Sequence, residues 1–128
     1  MTSLKALVCG DRNWSNREVI RSWLLKLQDL GYDTILEGEA NGADSIAREE
    51  AERIGMKVEK YPADWSRYGR AAGPIRNRRM LDRNPNLVLA FHNDISHSRG
   101  TADTVNEAKK RGIRVIIKEG GDKYGSRA

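Results

Sequence analysis

The stretch that decides the fold is LKALVCGDRNWSNREVIRSWLLKLQDLGYDTILE, residues 4–37. It opens on a short apolar run, Leu4–Cys9, and closes on another, Thr34–Glu37, and each run is typical of a β-strand. Between the two runs, apolar residues recur at helical spacing from position 19 to position 30, and Gly31 then marks the end of the helix. A strand, a helix and a strand joined by short connections predict two parallel strands linked by a right-handed crossover.

The same alternation continues along the rest of the chain. Ser15, with Glu18 three residues on, predicts the N-cap of the first helix, and Thr101 is predicted to cap the last. We therefore predict one α/β domain over residues 1–118, a compact Rossmann-like three-layer sandwich with a central, mainly parallel sheet of about five strands. A flexible tail would follow at residues 119–128. The further predicted strands are Lys57–Tyr61, Asn86–Phe91 and Ile113–Ile117, and the further predicted helices span residues 44–54, 74–83 and 101–111.

The composition excludes several classes of protein. Hydrophobic residues make up 38% of the 128 residues and are clustered, which favours a folded domain over a disordered chain. No apolar run approaches the roughly 18 residues of a membrane span, and the first apolar stretch is too short for a signal peptide. With one cysteine and two histidines, an internal disulfide is excluded and a closed zinc site is disfavoured. We expect a cytoplasmic protein with no membrane partner, no metal and no cofactor. The sequence leaves open whether the protein forms a homodimer.

The positive charge of the chain is local. The net charge is +5, from 23 basic and 18 acidic residues, and the segment from Arg67 to Arg83 carries six arginines against one acid, Asp82. Arginine suits forked recognition of phosphate or carboxylate. An anionic partner is therefore expected, either a nucleotide-like small molecule or, less favoured, a nucleic acid. A solvated basic helix face is the alternative.

The unusual segments of the sequence all follow predicted strands. In a parallel α/β sheet, ligands bind outside the carboxyl ends of the strands. Gly38 and Gly42 precede a helix there, where a glycine backbone can approach a phosphate and the helix N-terminus attracts an anion. Gly100 and Thr101 repeat this pattern, so two helix N-termini would form one anion cradle. We predict ligand or phosphate contacts at Gly10, Arg12, Gly38, Asn41, Gly42, Asp44, Arg76, Asn77, Ser98, Gly100 and Thr101.

The third predicted helix is the most informative of the four. At about 100° per residue, Arg76 and Asn77 fall on or beside its apolar face. A buried charge needs a partner, and a ligand phosphate would serve at this edge of the sheet. An internal salt bridge from Arg76 to Asp64 or Glu39 is the alternative. The other arginines near this helix, predicted to point to solvent, are Arg78, Arg79 and Arg83.

Aromatic and histidine side chains lie in or next to the same loops. Trp14, Trp65 and Tyr68 are candidates for stacking on a base, with packing of the loop as the alternative interpretation. His92 and His97 show no metal-ligand spacing with acidic residues, and we interpret them as surface or loop residues.

Together these segments resemble a known family, the YspA-type, YpsA-related branch of the SLOG superfamily. The resemblance covers about residues 4–117 and implies a Rossmann-like fold that binds a nucleotide or a nucleotide-derived ligand. The segments that carry it are Cys9–Trp14, Glu37–Asp44, Pro62–Trp65, Gly69–Asn77, Met80 and Ser98–Thr101.

The resemblance also implies roles for individual segments. Gly38–Asp44 corresponds to the first glycine-rich phosphate loop, Gly100–Thr101 to the second, and Arg76 to the arginine on the helix between them. The superfamily includes the DNA-processing protein DprA and the LOG phosphoribohydrolases, which cleave a nucleoside monophosphate to a base and ribose 5-phosphate. The second LOG motif reads Pro-Gly-Gly-x-Gly-Thr-x-x-Glu, and Thr104 stands here at the position of its glutamate.

The predicted function is binding of a nucleotide or nucleotide-derived phosphorylated small molecule at the carboxyl edge of the sheet, as a sensor or binding domain. The alternative is an N-glycosidic-bond hydrolase acting on a nucleotide, with Asp103 or Glu39 stabilising oxocarbenium character or activating water. Because Thr104 cannot supply a carboxylate, we predict negligible hydrolysis of ordinary nucleoside monophosphates. A second alternative is a nucleic-acid-binding module that uses the arginines from Arg67 to Arg83.

Overall fold

The computed structural model describes residues 3–119 and contains one sheet of five strands. The strand order is β3-β2-β1-β4-β5, and every neighbouring pair is parallel. Strands β2 and β3 therefore lie on one side of β1, and strands β4 and β5 lie on the other side. The strands are β1 (Leu4–Gly10), β2 (Tyr32–Glu37), β3 (Lys57–Lys60), β4 (Leu87–His92) and β5 (Val115–Glu119).

Helices cover both faces of the sheet, as the alternation of strands and helices predicts. Helices α1 and α2 pack on one face, and helices α4 and α5 pack on the other. Two short 3₁₀ turns, Gly69–Ala71 and Ile95–His97, complete the connections. The helices are α1 (Arg17–Asp29), α2 (Ala43–Arg53), α3 (Trp65–Tyr68), α4 (Ala72–Leu81) and α5 (Gly100–Lys110).

The strand side chains alternate between two cores. In β1, Ala6 and Val8 face α1 and α2, whereas Leu7 and Cys9 face α4 and α5, because successive strand residues point to opposite faces. The middle residues of the two central strands β1 and β4 are buried and apolar, as expected of a parallel sheet covered by helices. These observations confirm the predicted α/β, Rossmann-like three-layer sandwich.

Two predicted helix caps are wrong by a few residues. The N-cap of α1 is Asn16, whose side chain accepts a hydrogen bond from the Val19 amide at 3.3 Å, and not Ser15. At α5 the hydroxyl of Ser98 accepts from the amides of Thr101 and Ala102 at 2.9 and 3.2 Å, so Thr101 is not the capping residue. Serine, threonine and asparagine cap about equally well, so the choice depends on where the tertiary structure turns the chain into a helix.

The helix boundaries and the chain end differ in smaller ways from the prediction. Helix α4 begins at Ala72, two residues before Pro74. Glu119, predicted to begin the tail, is the last residue of β5 and lies beside His92 of β4. The rest of the predicted tail, residues 120–128, lies outside the described residues. Over the part of the chain that the structure describes, no helix is long and apolar enough to cross a membrane.

Candidate functional site: a cleft at the carboxyl edge of the sheet

A cleft of about 360 Å³ opens at the carboxyl ends of β1 and β4. These strands are the neighbours between which the strand order reverses, and ligands of open α/β sheets bind at that position. Both predicted loop segments reach it, since Asp44 lies on one wall and Gly100 on the other. The predicted contact residues that line the cleft are Gly10, Arg12, Asp44, Arg76, Asn77, Ser98, Gly100 and Thr101.

Arg76 is the central cation of the cleft. It is half-buried, its Nε donates to Oδ1 of Asn77 at 2.8 Å, and its Nη1 donates to the carbonyl of Gly38 at 2.5 Å. Burial lowers the pKa of Arg76, and the nearby carboxylate of Asp44 opposes that shift. Gly38 allows the guanidinium to approach closely, because a Cβ there would lie 2.6 Å from Nη1 of Arg76 and would displace it.

The internal salt bridge considered for Arg76 is not formed. Asp64 instead caps α3, where its side chain accepts from the amide of Arg67. Glu39 pairs with Arg48 at 2.7 Å. Among the described residues, Arg76 has no carboxylate within 4.0 Å and is stabilised by neutral oxygens. The guanidinium therefore has no direct ion pair among these residues, although the carboxylate of Asp44 lies near enough to favour its charged form.

Asn77 connects Arg76 to helix α5. Its side chain is buried, its Oδ1 accepts from Arg76, and its Nδ2 donates to Oδ2 of Asp103 at 3.2 Å. The same Nδ2 lies 3.5 Å from the carbonyl of Gly100. The amide thus fixes the guanidinium relative to the first turn of α5.

Several backbone amides of the first glycine loop, Gly38–Asp44, donate hydrogen bonds to other groups of the protein. Oδ2 of Asp44 accepts from the amides of Gly38 at 3.1 Å and Ala40 at 3.3 Å, and the amide of Ala43 donates to the carbonyl of Asp11 at 3.1 Å. Gly42 has a φ of 70° and is not among the residues lining the cleft, where it was predicted. These amides are therefore engaged around the carboxylate of Asp44 and the carbonyl of Asp11, and the predicted phosphate cradle at α2 stays a prediction.

Two carboxyl groups below this loop are buried. Burial raises the pKa of Asp44 to about 6. Burial also raises the pKa of Glu37 to about 8, and Oε1 of Glu37 accepts from the amide of Glu39 at 2.6 Å. Oε2 of Glu37 is buried and, within the described residues, has no hydrogen-bond partner. A protonated Glu37 fits this environment better than an ionised one.

The two candidate catalytic carboxylates lie at the margins of the cleft. Asp103 is bound by Arg78 at 3.1 Å as well as by Asn77, and it is not among the residues lining the cleft. The side chain of Glu39 forms an ion pair with Arg48 and borders a second cavity. Their catalytic roles stay predictions, and neither carboxylate is poised as a free base in the cleft.

The basic segment is not a continuous surface, because two of its arginines, although at least partly exposed as predicted, pair with acidic residues. Arg78 bridges α4 to α5 through Asp103 and, at 3.4 Å, Glu107. Arg83 pairs with Glu59 at 3.2 Å. Of the three arginines predicted to face solvent, Arg79 is exposed and has no ion pair within 4.0 Å in residues 3–119. Acids elsewhere in the chain therefore neutralise part of the cluster.

The three candidate stacking residues have different surroundings. Trp14 is a core residue against Phe91, with ring centroids 5.6 Å apart, so the stacking role predicted for it does not fit the structure. Tyr68 lies beneath the guanidinium of Arg67 at 5.1 Å. Trp65 is 52% exposed and lines a second cavity of about 350 Å³.

His92, predicted to be a surface or loop residue, belongs to the sheet. It is the last residue of β4, is half-buried and lines the cleft, so it is not a loop residue. Its Nδ1 accepts from the amide of Asp94 at 2.9 Å, and its Nε2 lies 3.9 Å from Oδ2 of Asp11. Spacing from acidic residues could not identify His92 as a cleft residue. Its place at the carboxyl end of a central strand could have done so. Arg99, which also lines the cleft, follows the same strand.

The sequence model of the YspA, cpYpsA-related SLOG family matches residues 4–68. The chain belongs to this SLOG family. The Gene 61 protein of Mycobacterium phage D29 is 34% identical to it over 119 residues, which are 88% of this chain and 94% of the phage protein. The X-ray structure of DNA processing protein A (DprA) from Streptococcus pneumoniae shares the fold, with a TM-score of 0.56 and 16% identity. The match covers 97% of this chain and 62% of that DprA chain.

This SLOG domain departs from the LOG motif inside the cleft itself. Thr104, at the position of the LOG glutamate, is buried, lines the cleft and donates its hydroxyl to the carbonyl of Gly100 at 3.2 Å. The neighbouring Asp103 points into the ion pair with Arg78. The cleft therefore presents a hydroxyl where the LOG motif has a carboxylate.

Proposed function

We propose that this domain binds a nucleotide or nucleotide-derived phosphorylated small molecule in the cleft. The observation that carries the proposal is Arg76, a half-buried guanidinium at the cleft wall that is held by neutral oxygens rather than by a carboxylate. A buried cation is costly unless it is paired. A ligand phosphate would supply that pairing with charge-assisted hydrogen bonds.

The rest of the cleft favours an anion for the same reason. Arg12 and Arg99 also line it and are exposed, so they can close on a bound phosphate. The N-terminal turn of α5 contributes its partial positive charge at Gly100 and Thr101. Membership of the SLOG family supports a nucleotide-related ligand.

Binding is favoured over hydrolysis by what surrounds the carboxylates. Asp103 is neutralised by Arg78, and Oδ2 of Asp44 is occupied by two backbone amides. A carboxylate that acts as a general base must lie within reach of the proton it takes. The proposed role is therefore that of a sensor or binding domain.

The proposal is tested by comparing Arg76→Ala with Arg79→Ala in isothermal titration with nucleotides found by a thermal-shift screen. Both arginines lie on α4, and Arg79 is the exposed control. Loss of a buried phosphate contact costs about 2–5 kcal/mol, so Arg76→Ala should weaken binding by roughly 30-fold or more. Loss of an exposed cation costs about 1 kcal/mol or less.

Arg76→Lys serves as a second variant, which keeps the positive charge but lacks the paired N–H donors of a guanidinium. Circular dichroism checks that each variant is folded. Equal losses at Arg76 and Arg79 would contradict the proposal and favour a diffuse basic surface for nucleic acid.

A further inference from the structure

The second cavity adjoins the cleft at its central cation. The two share Arg12, Ala40 and Arg76, and have volumes of about 350 and 360 Å³. Each alone is near the lower limit of ligand pockets, which span roughly 300–1,000 Å³. A phosphate held by Arg76 would therefore have room for a chemical group on each side.

The wall of the second cavity carries an exposed aromatic ring in a fixed position. Trp65 begins α3, and Asp64 stabilises that turn by accepting from the amide of Arg67 at 3.2 Å and the hydroxyl of Ser66 at 3.0 Å. A Cβ added to Gly73 would lie 3.4 Å from Cη2 of Trp65 and 3.8 Å from Nη2 of Arg76. The indole and the guanidinium therefore meet at the same turn of α4.

Polar groups suited to the edge of a base line the same cavity. Glu39 brings a carboxylate and Asn41 an amide, which can accept and donate hydrogen bonds. Glu39 has a φ of 61°, an unfavourable conformation for a residue with a side chain. The carboxyl of Glu37 and the guanidinium of Arg48 hold Glu39 in that conformation.

We infer that the second cavity is the base-binding half of the site and that the ligand is a nucleoside diphosphate ester. Its base stacks on Trp65, its diphosphate lies between Arg12 and Arg76 and faces the first turn of α5, and its second group enters the rest of the cleft. This assignment rests on the proposed function, because it takes the phosphate contact of Arg76 as given. A flat base gains stacking free energy on an exposed indole whatever its identity.

The test is a titration panel of three diphosphate esters, ADP-ribose, UDP-glucose and GDP-mannose, against AMP, UMP, GMP and ribose 5-phosphate. At least one ester should bind about tenfold or more tightly than its own mononucleotide, since the added group gains contacts in the cleft. Trp65→Ala should weaken the binding of that ester by about fivefold or more. The affinity for ribose 5-phosphate should not change.

Trp65→Phe keeps a stacking ring and should retain most of the affinity, while losing the change in tryptophan fluorescence on binding. Leu30→Ala, at an exposed apolar residue beside α1, is the matched control and should change nothing.

Mononucleotides that bind as tightly as the esters would overturn the inference, as would an unchanged affinity in Trp65→Ala. An equal loss of affinity for ribose 5-phosphate in Trp65→Ala would also overturn the inference, since Trp65 would then only support the fold. If Arg76→Ala still abolishes binding in those cases, the proposed function stands and only the assignment of the second cavity falls. If no member of the panel binds, or if binding does not depend on Arg76, the proposed function falls as well.

Discussion

The two loop-to-helix junctions at the carboxyl edge have similar sequences and different chemistry. At the first junction, Gly38–Ala43, three of the backbone amides donate to the carboxylate of Asp44 and to the carbonyl of Asp11. At the second, Ser98–Thr101, the amides of Thr101 and Ala102 donate to the neutral hydroxyl of Ser98, and the junction lines the cleft. A glycine before a helix therefore does not by itself make a phosphate site. The first junction already holds an anion of its own, the carboxylate of Asp44.

The largest expected contrast between the junctions is in stability. Gly42→Ala would place a Cβ 2.3 Å from the carbonyl oxygen of Asp11 at a φ of 70°, whereas a Cβ on Gly100 meets nothing within 4 Å. Overpacking and backbone strain should together lower the free energy of unfolding by about 3 kcal/mol or more in Gly42→Ala. Gly100→Ala should change it by less than about 1 kcal/mol. Urea denaturation of both variants measures the contrast, and equal values would refute it.

A smaller expected difference is the pH dependence that the first junction gives to stability. Because the pKa of Asp44 is raised to about 6 and that of Glu37 to about 8, the folded protein binds these protons more tightly than the unfolded chain. The resulting stability is complete below about pH 4 and is lost as the pH rises through 6 and 8. We expect the free energy of unfolding to fall steadily between pH 5 and pH 8.5, by at most about 1.4 kcal/mol per pH unit for each of the two carboxyl groups.

Glu37→Gln is the matched variant for this pH dependence. It should remove the part of the decrease that occurs above pH 6, because a glutamine cannot ionise. Denaturant titrations at pH 5, 6.5 and 8.5 provide the measurement. A stability that is constant or rises over this range would count against burial of Glu37 and Asp44.

The smallest expected effect concerns catalysis at the second junction. Thr104 supplies no carboxylate, and Asp103 is held by Arg78, so the purified protein should release no measurable base from nucleoside monophosphates. A carboxylate misplaced by about 1 Å can already cost 100-fold in rate. Chromatographic detection of free adenine is the assay, with Asp103→Asn and Glu39→Gln as controls. Turnover that either variant abolishes would make the domain a hydrolase.

The sheet and its functional edge could be predicted from the sequence because they depend on repeated local patterns. Short apolar runs alternating with helical spacing predicted the parallel sheet, and the helical phase of Arg76 predicted its inward position. What the sequence did not show depended on long-range partners. The sequence of α4 contains nothing to show that Arg78 would meet Asp103 and Glu107 on another helix. Likewise, Trp14 is in the core because Phe91 lies opposite it.

The glycine loop shows the same limit at shorter range. Gly38 and Gly42 were correctly identified as positions of close approach, but the approaching groups are the guanidinium of Arg76 and the carbonyl of Asp11. A sequence shows that glycine is needed and not what comes near it. The side chain of Asp44, two residues past Gly42, was the one local indication that the loop would close on itself.

The central claim is that an anion binds against the second junction and Arg76, and not against the first. Amide chemical-shift mapping of the ¹⁵N-labelled protein during a titration with ribose 5-phosphate tests it most directly. The largest perturbations should fall on Gly100, Thr101 and the Nε of Arg76, because these residues line the cleft, with little change at Ala43, which does not line it. Perturbations that are largest over Gly38–Ala43 and absent at Gly100 would contradict the claim.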